Sequence, residues 1–146
     1  MIHSEQRAMM STPQKKVCIV EDDVGVNRMY ERAFRFQGYD VVVAHDGATA
    51  LEKCSDNGPT PAAVLLDLNL PHMSGFDVLK ALRKDARYDS VPVLILSNSF
   101  AEDKSKECMD LGADGFMVKI QSQSKDIIAK VEELVAKGRS SAPRAS

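Results

Sequence analysis

The feature that most constrains the fold is a short apolar run that ends in a carboxylate. Val64 to Leu66 lead directly into Asp67. A run this short with a β-branched member is typical of a strand buried on both faces, as in a parallel sheet. An ionised group is costly to bury without a partner. Asp67 is therefore either a turn or helix-capping residue or a functional carboxylate, and Pro71 and Gly75 mark an irregular turn after it.

The rest of the chain alternates apolar runs with segments of helical periodicity. This pattern predicts an α/β fold, a doubly wound parallel sheet of five strands with helices on both faces. Residues 85–90 are expected to form a polar loop, and Asp23 is placed to cap the first helix. The predicted strands are 17–20, 39–44, 64–66, 91–96 and 115–118, and the predicted helices are 24–37, 48–56, 75–84, 101–111 and 125–137.

Length and composition indicate one domain. A chain of 146 residues can build one well-buried core. We expect a flexible arm over residues 1–14, the folded domain over 15–138 and a disordered tail over 139–146. A formal net charge of −2 gives no basic footprint for direct nucleic-acid binding. No apolar run approaches the length of a membrane span, and Met1–Thr12 has no apolar core of a secretory signal.

Neither the cysteines nor the histidines of the chain indicate a metal site or a nucleophile. The three cysteines, Cys18, Cys54 and Cys108, fall at apolar positions and form no CxxC motif. They are predicted to be reduced core residues in a reducing compartment, which favours a cytoplasmic location. His45 and His72 fall in loops, where exposed polar side chains are expected.

Polar side chains follow four of the predicted strands. Glu21 and Asp22 follow the first strand, Asp67 the third, Ser97 the fourth and Lys119 the fifth. Because the carboxyl ends of parallel strands share one edge of a sheet, where open α/β sheets bind ligands, these groups are expected to converge.

The chemistry of these groups points to phosphoryl transfer. Carboxylate oxygens are the hard ligands that Mg²⁺ prefers, and an aspartate can attack phosphorus to form an aspartyl phosphate. The loose transition state requires positive charge, which Lys119 and the metal would supply. Ser97 can donate a hydrogen bond to a phosphoryl oxygen. Asp23 could be a third acidic ligand, but helix capping is the favoured interpretation.

At this point the chain resembles the receiver domain of two-component response regulators, in particular single-domain regulators of the chemotaxis type. The resemblance spans roughly residues 16–137. It rests on five motifs taken together: VEDD at 20–23, AHDGATALE at 44–52, LLDLNLPHMSG at 65–75, LILS at 94–97 and LGADGFMVK at 111–119.

The resemblance implies a flavodoxin-like (βα)5 fold with strand order 2-1-3-4-5. It implies that Asp67 is the phosphoacceptor and that Glu21 and Asp22 are the acidic pair, with Asp22 the more direct Mg²⁺ ligand. Asn69 would offer its backbone carbonyl to the metal and Lys119 would contact the phosphoryl group. Ser97 and Phe116 would form the switch pair, although Phe116 is equally well explained by strand packing.

Two positions depart from the pattern of the family. Asn98 replaces the usual Ala or Gly after the switch hydroxyl, and Ile120 replaces the proline that usually follows the lysine. Asn98 would narrow access to Asp67. A cis bond before Ile120 would cost about 3 kcal/mol, so a trans bond is predicted. Both changes affect the usual output surface and leave the acceptor, metal and phosphate residues in place.

The favoured hypothesis is a receiver that takes a phosphoryl group from a sensor histidine kinase or phosphotransfer protein onto Asp67. It would signal by contact with a downstream protein and would not be an enzyme beyond Mg²⁺-dependent self-phosphorylation and slow autodephosphorylation. The alternative is a receiver-fold interaction module that works without phosphorylation. A phosphatase of the haloacid dehalogenase type ranks lower because Asn69 stands where it needs a second aspartate. Flavin binding ranks lowest because the loop after the first strand is acidic.

Overall fold

Five segments of the chain form strands that pair into one parallel sheet. The computed structural model describes residues 15–54 and 58–139, so the predicted arm and all but the first residue of the predicted tail lie outside the described residues. The strands are β1 Lys16–Val20, β2 Asp40–Ala44, β3 Ala63–Asp67, β4 Val93–Ser97 and β5 Gly115–Val118. The helices are α1 Val24–Phe36, α2 Gly47–Cys54, α3 Gly75–Lys84, α4 Glu102–Asp110 and α5 Ser124–Lys137.

The strand order is β2-β1-β3-β4-β5, which confirms the predicted doubly wound, flavodoxin-like topology. In the register, Val20 pairs with Leu66 and Asp67 pairs with Leu96. The central strands therefore end nearly level with one another. As expected, all five carboxyl ends meet at one edge of the sheet.

Each face of the sheet carries its own apolar core, and the central strands β3 and β4 are buried along their whole length. One core packs Tyr30 and Phe34 of α1 and Ile127 and Val131 of α5 against the sheet. The other packs residues of α2, α3 and α4 against the opposite face, including Ala50, Leu79 and Cys108. Amphipathic helices with one apolar side are suited to this arrangement.

The predicted boundaries differ from the structure by one or two residues. Pro92 lies just before β4, which begins at Val93 rather than Val91, consistent with the missing amide donor of proline. The predicted second helix continues in the structure to Cys54, and residues 55–57 lie outside the described part. None of the helices among the described residues has the length and hydropathy needed to cross a bilayer.

The polar-loop prediction for residues 85–90 is wrong in one respect. Residues Ala86–Tyr88 form a 3₁₀ turn, and the Tyr88 ring is buried with 1% exposure. Its hydroxyl donates to the Cys54 carbonyl oxygen at 3.0 Å. A tertiary contact therefore draws an aromatic side chain inward from a segment that is polar in sequence.

Two arginines, Arg83 and Arg139, bind Asp114 at the amino-terminal end of the sheet, opposite the end that carries the polar residues. Arg83 donates to Asp114 Oδ2 at 3.0 Å and to the Tyr88 carbonyl oxygen at 2.7 Å. Arg139, which the sequence assigns to the tail, donates to Asp114 Oδ1 at 2.7 Å. Asp114 Oδ2 also accepts from the Val93 amide at 2.8 Å. The folded part of the chain therefore includes Arg139.

Gly75 sets how closely α3 approaches the end of β3. A Cβ atom at Gly75 would lie 2.5 Å from the Asp67 carbonyl oxygen and 2.7 Å from Leu68 Cα. The Gly75 amide donates to the Leu68 carbonyl oxygen at 3.1 Å, so backbone meets backbone there. Only glycine fits without moving one of the two elements.

We predict that Gly75→Ala lowers the free energy of unfolding by about 1–3 kcal/mol, because the added methyl group overpacks rigid backbone. Gly58→Ala is the matched control, since among the described residues a Cβ there meets nothing within 4 Å; it should change stability by less than about 0.5 kcal/mol. Urea denaturation followed by circular dichroism measures both. Equal stabilities for the two variants would contradict the role assigned to Gly75.

Candidate functional site

Glu21 is held at the end of β1 by the backbone around it. Its amide donates to the Ala44 carbonyl oxygen at 3.0 Å, which continues the β1–β2 ladder one residue beyond the strands. Its side chain is 1% exposed, and Oε2 accepts from the Asp23 amide at 2.9 Å. Burial raises the pKa of Glu21, an effect that hydrogen bonds from Lys119 and Asp23 only partly offset.

Asp67 is the last residue of β3 and is also 1% exposed. Its Oδ1 accepts a hydrogen bond from the Asn69 amide at 2.9 Å. The next residue, Leu68, donates its amide to the Leu96 carbonyl oxygen at 2.8 Å, so the ladder with β4 continues past the carboxylate. Asp67 is thus fixed by the sheet on one side and by its own loop on the other.

Lys119 joins these two carboxylates. Its Nζ lies 2.6 Å from Glu21 Oε1 and 2.9 Å from Asp67 Oδ2. Burial alone lowers the pKa of Lys119, but the hydrogen bonds to Glu21 and Asp67 and their charges outweigh it, so the pKa is raised. The ammonium therefore stays charged at neutral pH and compensates part of the buried negative charge.

The acidic group has the donor set of a hard divalent cation. One carboxylate oxygen from each of Glu21, Asp22 and Asp67 lies within 4.8 Å of the others. Both Glu21 oxygens already accept hydrogen bonds, whereas Asp22 is exposed at the rim of the group. Both Asp67 oxygens likewise accept hydrogen bonds, from the Asn69 amide and from Lys119, so Asp22 is the carboxylate best placed for direct contact with a metal. This all-oxygen set fits Mg²⁺.

Asp23 caps α1, as favoured from the sequence: its Oδ1 accepts from the Val26 amide at 3.0 Å. Asn69 lies in the loop after β3, and its amide, described above, points to Asp67. Asn69 Oδ1 accepts from the Asn98 amide at 3.2 Å. The loops after β3 and β4 are thereby tied together at the mouth of the site. His45 and His72 are exposed, as expected.

Ser97 ends β4 and is 3% exposed. Its hydroxyl donates to the Ser99 carbonyl oxygen at 2.7 Å, and among the described residues it forms no hydrogen bond with Asp67 or Lys119. Phe116 is half-buried on β5, with its ring edge-to-face against Phe100 at a centroid distance of 6.3 Å. The structure thus brings Glu21, Asp22, Asp67 and Lys119 together, while the Ser97 hydroxyl is engaged in its own loop.

The bond before Ile120 is trans, as predicted, since residues 15–54 and 58–139 contain no cis peptide. After β5 the chain forms a 3₁₀ turn over Lys119–Gln121. The Ile120 side chain is 85% exposed there. Ile120 and Asn98 both lie along the cleft over the carboxylates.

Two residues of the site were missed from the sequence. Asn27 of α1 is 1% exposed, and its Nδ2 donates to the carbonyl oxygens of Glu21 at 3.0 Å and Ala44 at 3.2 Å. Tyr30, one turn further, lines the cleft, and burial raises its pKa. Both lie on the buried side of α1. A single polar residue among apolar ones there does not by itself indicate that the residue belongs to a functional site.

Comparison with known proteins identifies the class to which this fold and site belong. Residues 17–132 match the family model of the response regulator receiver domain, and the chain belongs to that family. It is 35% identical to the transcriptional regulatory protein PrrA of Mycobacterium bovis over 131 residues, which is 90% of this chain and 54% of PrrA. It is 33% identical to the response regulator MprA of Mycobacterium ulcerans over 104 residues, 71% of this chain and 43% of MprA. The chain thus spans about half the length of these curated relatives.

Solved structures of response regulators have the same fold as this chain. The chemotaxis response regulator CheY4 of Vibrio cholerae is 28% identical, with a TM-score of 0.76 over 83% of this chain and 98% of CheY4. The receiver domain of the Francisella response regulator 1452 is also 28% identical, with a TM-score of 0.75 over 84% of this chain and 98% of that domain. The fold and family predictions from the sequence are therefore confirmed.

We predict that Asn27→Ala destabilises the loop that carries Glu21 and Asp22. The Glu21 carbonyl oxygen would lose the only described donor that reaches it, which costs roughly 1–3 kcal/mol of stability for a buried group. Mg²⁺ affinity, measured by titration calorimetry, should fall because the loop that carries Glu21 and Asp22 loses its anchor. Arg28→Ala, at an exposed position of the same helix, is the control and should change neither quantity; an unchanged Mg²⁺ affinity in Asn27→Ala would contradict the anchoring role.

Proposed function

We propose that this chain is a phosphoacceptor receiver that takes a phosphoryl group onto Asp67 from a phosphohistidine of a sensor histidine kinase or phosphotransfer protein. The observation that carries the proposal is the Lys119 ammonium bridging the buried Glu21 and Asp67 carboxylates. A related structure, the cyanobacterial phytochrome response regulator RcpA, is described as phosphorylated; it is 28% identical, with a TM-score of 0.71 over 83% of this chain and 91% of RcpA.

The transfer uses the groups in the following way. An Asp67 carboxylate oxygen attacks phosphorus, a P–O bond forms, the P–N bond of the donor breaks and the imidazole leaves with the bonding electron pair. Lys119 is positioned to stabilise negative charge on the phosphoryl oxygens. Asp22, Asp67 and the Asn69 backbone carbonyl would hold Mg²⁺, with Glu21 adding charge. When bound, this ion would neutralise charge on the phosphoryl group.

The same proposal includes the output. Once the phosphoryl group is present, the Ser97 hydroxyl exchanges its bond to Ser99 for one to a phosphoryl oxygen, and Phe116 changes its packing. Phosphorylation shifts a pre-existing equilibrium between two conformations. The signal then passes by contact with a downstream protein, and the net charge of −2 gives no support to direct nucleic-acid binding.

We assign no further enzymatic activity to the chain: its chemistry would be self-phosphorylation and slow hydrolysis of the aspartyl phosphate. A cytoplasmic location is part of the same proposal. Cys18, Cys54 and Cys108 are buried and form no disulfide, as expected for a reducing compartment.

We predict one Mg²⁺-dependent phosphoryl adduct when the chain is incubated with acetyl phosphate, detected by intact mass spectrometry. Asp67→Asn should abolish the adduct, whereas Asp103→Asn, at an exposed aspartate in the first turn of α4, should not. Removal of Mg²⁺ with a chelator should also abolish it.

Failure of labelling separates the alternatives. Mg²⁺ binding without an adduct, restored by Asn98→Ala, would show that Asn98 limits access to Asp67 and would leave the acceptor role intact. The absence of both an adduct and Mg²⁺ binding would overturn the proposal. It would leave a receiver-fold interaction module that works without phosphorylation, which the departures at Asn98 and Ile120 would then explain.

We predict that Lys119→Gln slows phosphorylation by acetyl phosphate by about 10²-fold or more, since a preorganised charge that stabilises the transition state is lost. Mg²⁺ affinity should be retained or increased, because two buried carboxylates lose their only ammonium partner among the described residues. Lys104→Gln, on the exposed surface of α4, is the control. Parallel loss of Mg²⁺ binding and phosphorylation in Lys119→Gln would argue for a structural rather than an electrostatic role.

A further inference from the structure

Two cysteines meet on the face of the sheet that packs against α2, away from the carboxylates. Cys18 lies in the middle of β1 and Cys54 is the last residue of α2. They belong to the same buried core cluster, with exposures of 2% and 8%. Both side chains line the same cavity, and each shifts the pKa of the other.

The surroundings make the two sulfurs unequal. The hydrogen bond from Cys18 lowers the pKa of Cys54 to about 7, with smaller contributions from Tyr88 and the positive charges of Lys16 and Arg87 that outweigh the effect of burial. The hydrogen bond with Cys54, together with burial, raises the pKa of Cys18. Cys54 is therefore the more acidic thiol of the pair, and the more acidic thiol of a dithiol is the one expected to react first with an oxidant.

A cavity adjoins the two cysteines. A cavity of about 390 Å³ is lined by both cysteines together with Lys53, Pro59 and Tyr88. Arg87 and Tyr88 both donate to the Cys54 carbonyl oxygen, at 3.1 and 3.0 Å, which fixes the backbone of that cysteine beside the cavity. The cavity thus places both cysteines beside a space large enough for a small oxidant.

The third cysteine is a natural contrast within the same chain. Cys108 on α4 has no exposed surface and does not line this cavity. Burial, assisted by the charge of Glu107, raises its pKa to about 11. It is an inert core thiol by the same criteria that single out Cys54.

We propose that Cys18 and Cys54 form a redox-active dithiol that a hydroperoxide converts into an intramolecular disulfide between β1 and α2. The Cys54 thiolate attacks the peroxide oxygen; an S–O bond forms, the O–O bond breaks, sulfur is oxidised to a sulfenic acid and the peroxide is reduced to an alcohol or water. The Cys18 sulfur then attacks Cys54; the S–S bond forms, the S–O bond breaks, and hydroxide leaves with the thiol proton as water.

The disulfide would be a reversible modification rather than a permanent link. In a reducing compartment it would form transiently and be reopened by thiol exchange. It does not involve Asp67, so its formation does not depend on the phosphoryl chemistry proposed above. It would tie α2 to β1, the strand that precedes Glu21.

The test is oxidation of the reduced full chain with hydrogen peroxide, followed by denaturing alkylation and mass spectrometry. The untreated chain should take three alkyl groups; the oxidised chain should take one, on Cys108, and dithiothreitol should restore all three. Peptide mapping should recover Cys18 linked to Cys54 within one chain. Cys18→Ser should leave a sulfenic acid on Cys54 that dimedone traps, Cys54→Ser should give no disulfide, and Cys108→Ser should oxidise as the parent chain does.

A second measurement avoids the cysteine variants, in case a buried serine impairs folding. Native wild-type chain treated briefly with iodoacetamide at neutral pH should be modified at Cys54 at least about tenfold faster than at Cys108. Retention of three alkylatable thiols after peroxide, a linkage between two chains, or equal reactivity of Cys54 and Cys108 would each overturn the proposal.

Discussion

The structure depends on one buried ionic contact, the Lys119 ammonium between Glu21 and Asp67. Both carboxylates are almost fully buried, and without a cation so close their negative charges would repel each other. In the observed strand order, β5 lies two strands from β3, roughly 10 Å away at the usual strand spacing. A long, flexible side chain is needed to cross β4 from there, which lysine provides. The strand order therefore makes a long cationic side chain necessary at this position.

The strand that Lys119 crosses carries the other polar group of the edge. Ser97 ends β4, and its hydroxyl holds the carbonyl of Ser99. The next residue, Phe100, packs edge-to-face on Phe116 of β5. Both proposed switch residues thus contact the same short segment after β4. A change at the Ser97 hydroxyl would reach Phe116 through only two residues of chain. The two side chains would therefore move together.

Much of the fold and of the candidate site could be predicted from the sequence, because the residue patterns that indicate them are local. Five apolar runs, each followed by a helical period, predict the parallel sheet, and the polar residue after each run is carried to one edge by topology alone. Asn27 and Tyr88 were missed for the opposite reason. Each is a single polar or aromatic side chain whose partner lies elsewhere in the chain, Ala44 for Asn27 and Cys54 for Tyr88. The Arg139–Asp114 contact was missed likewise, because a small, basic C-terminal segment predicts a tail unless its acidic partner is known.

The two departures from the family pattern lie at the rim of the site and not at its floor. Asn98 is exposed, and its contribution there is a backbone donor to the Asn69 side chain. Ile120 presents an almost fully exposed apolar side chain beside the same cleft. Below them, the Glu21 and Asp67 carboxylates are buried and are joined by the half-buried Lys119. Because a large apolar side chain gains free energy when a partner covers it, Ile120 is a position where contact with a partner would be favourable, whereas the buried carboxylates lie below the surface that a partner would meet.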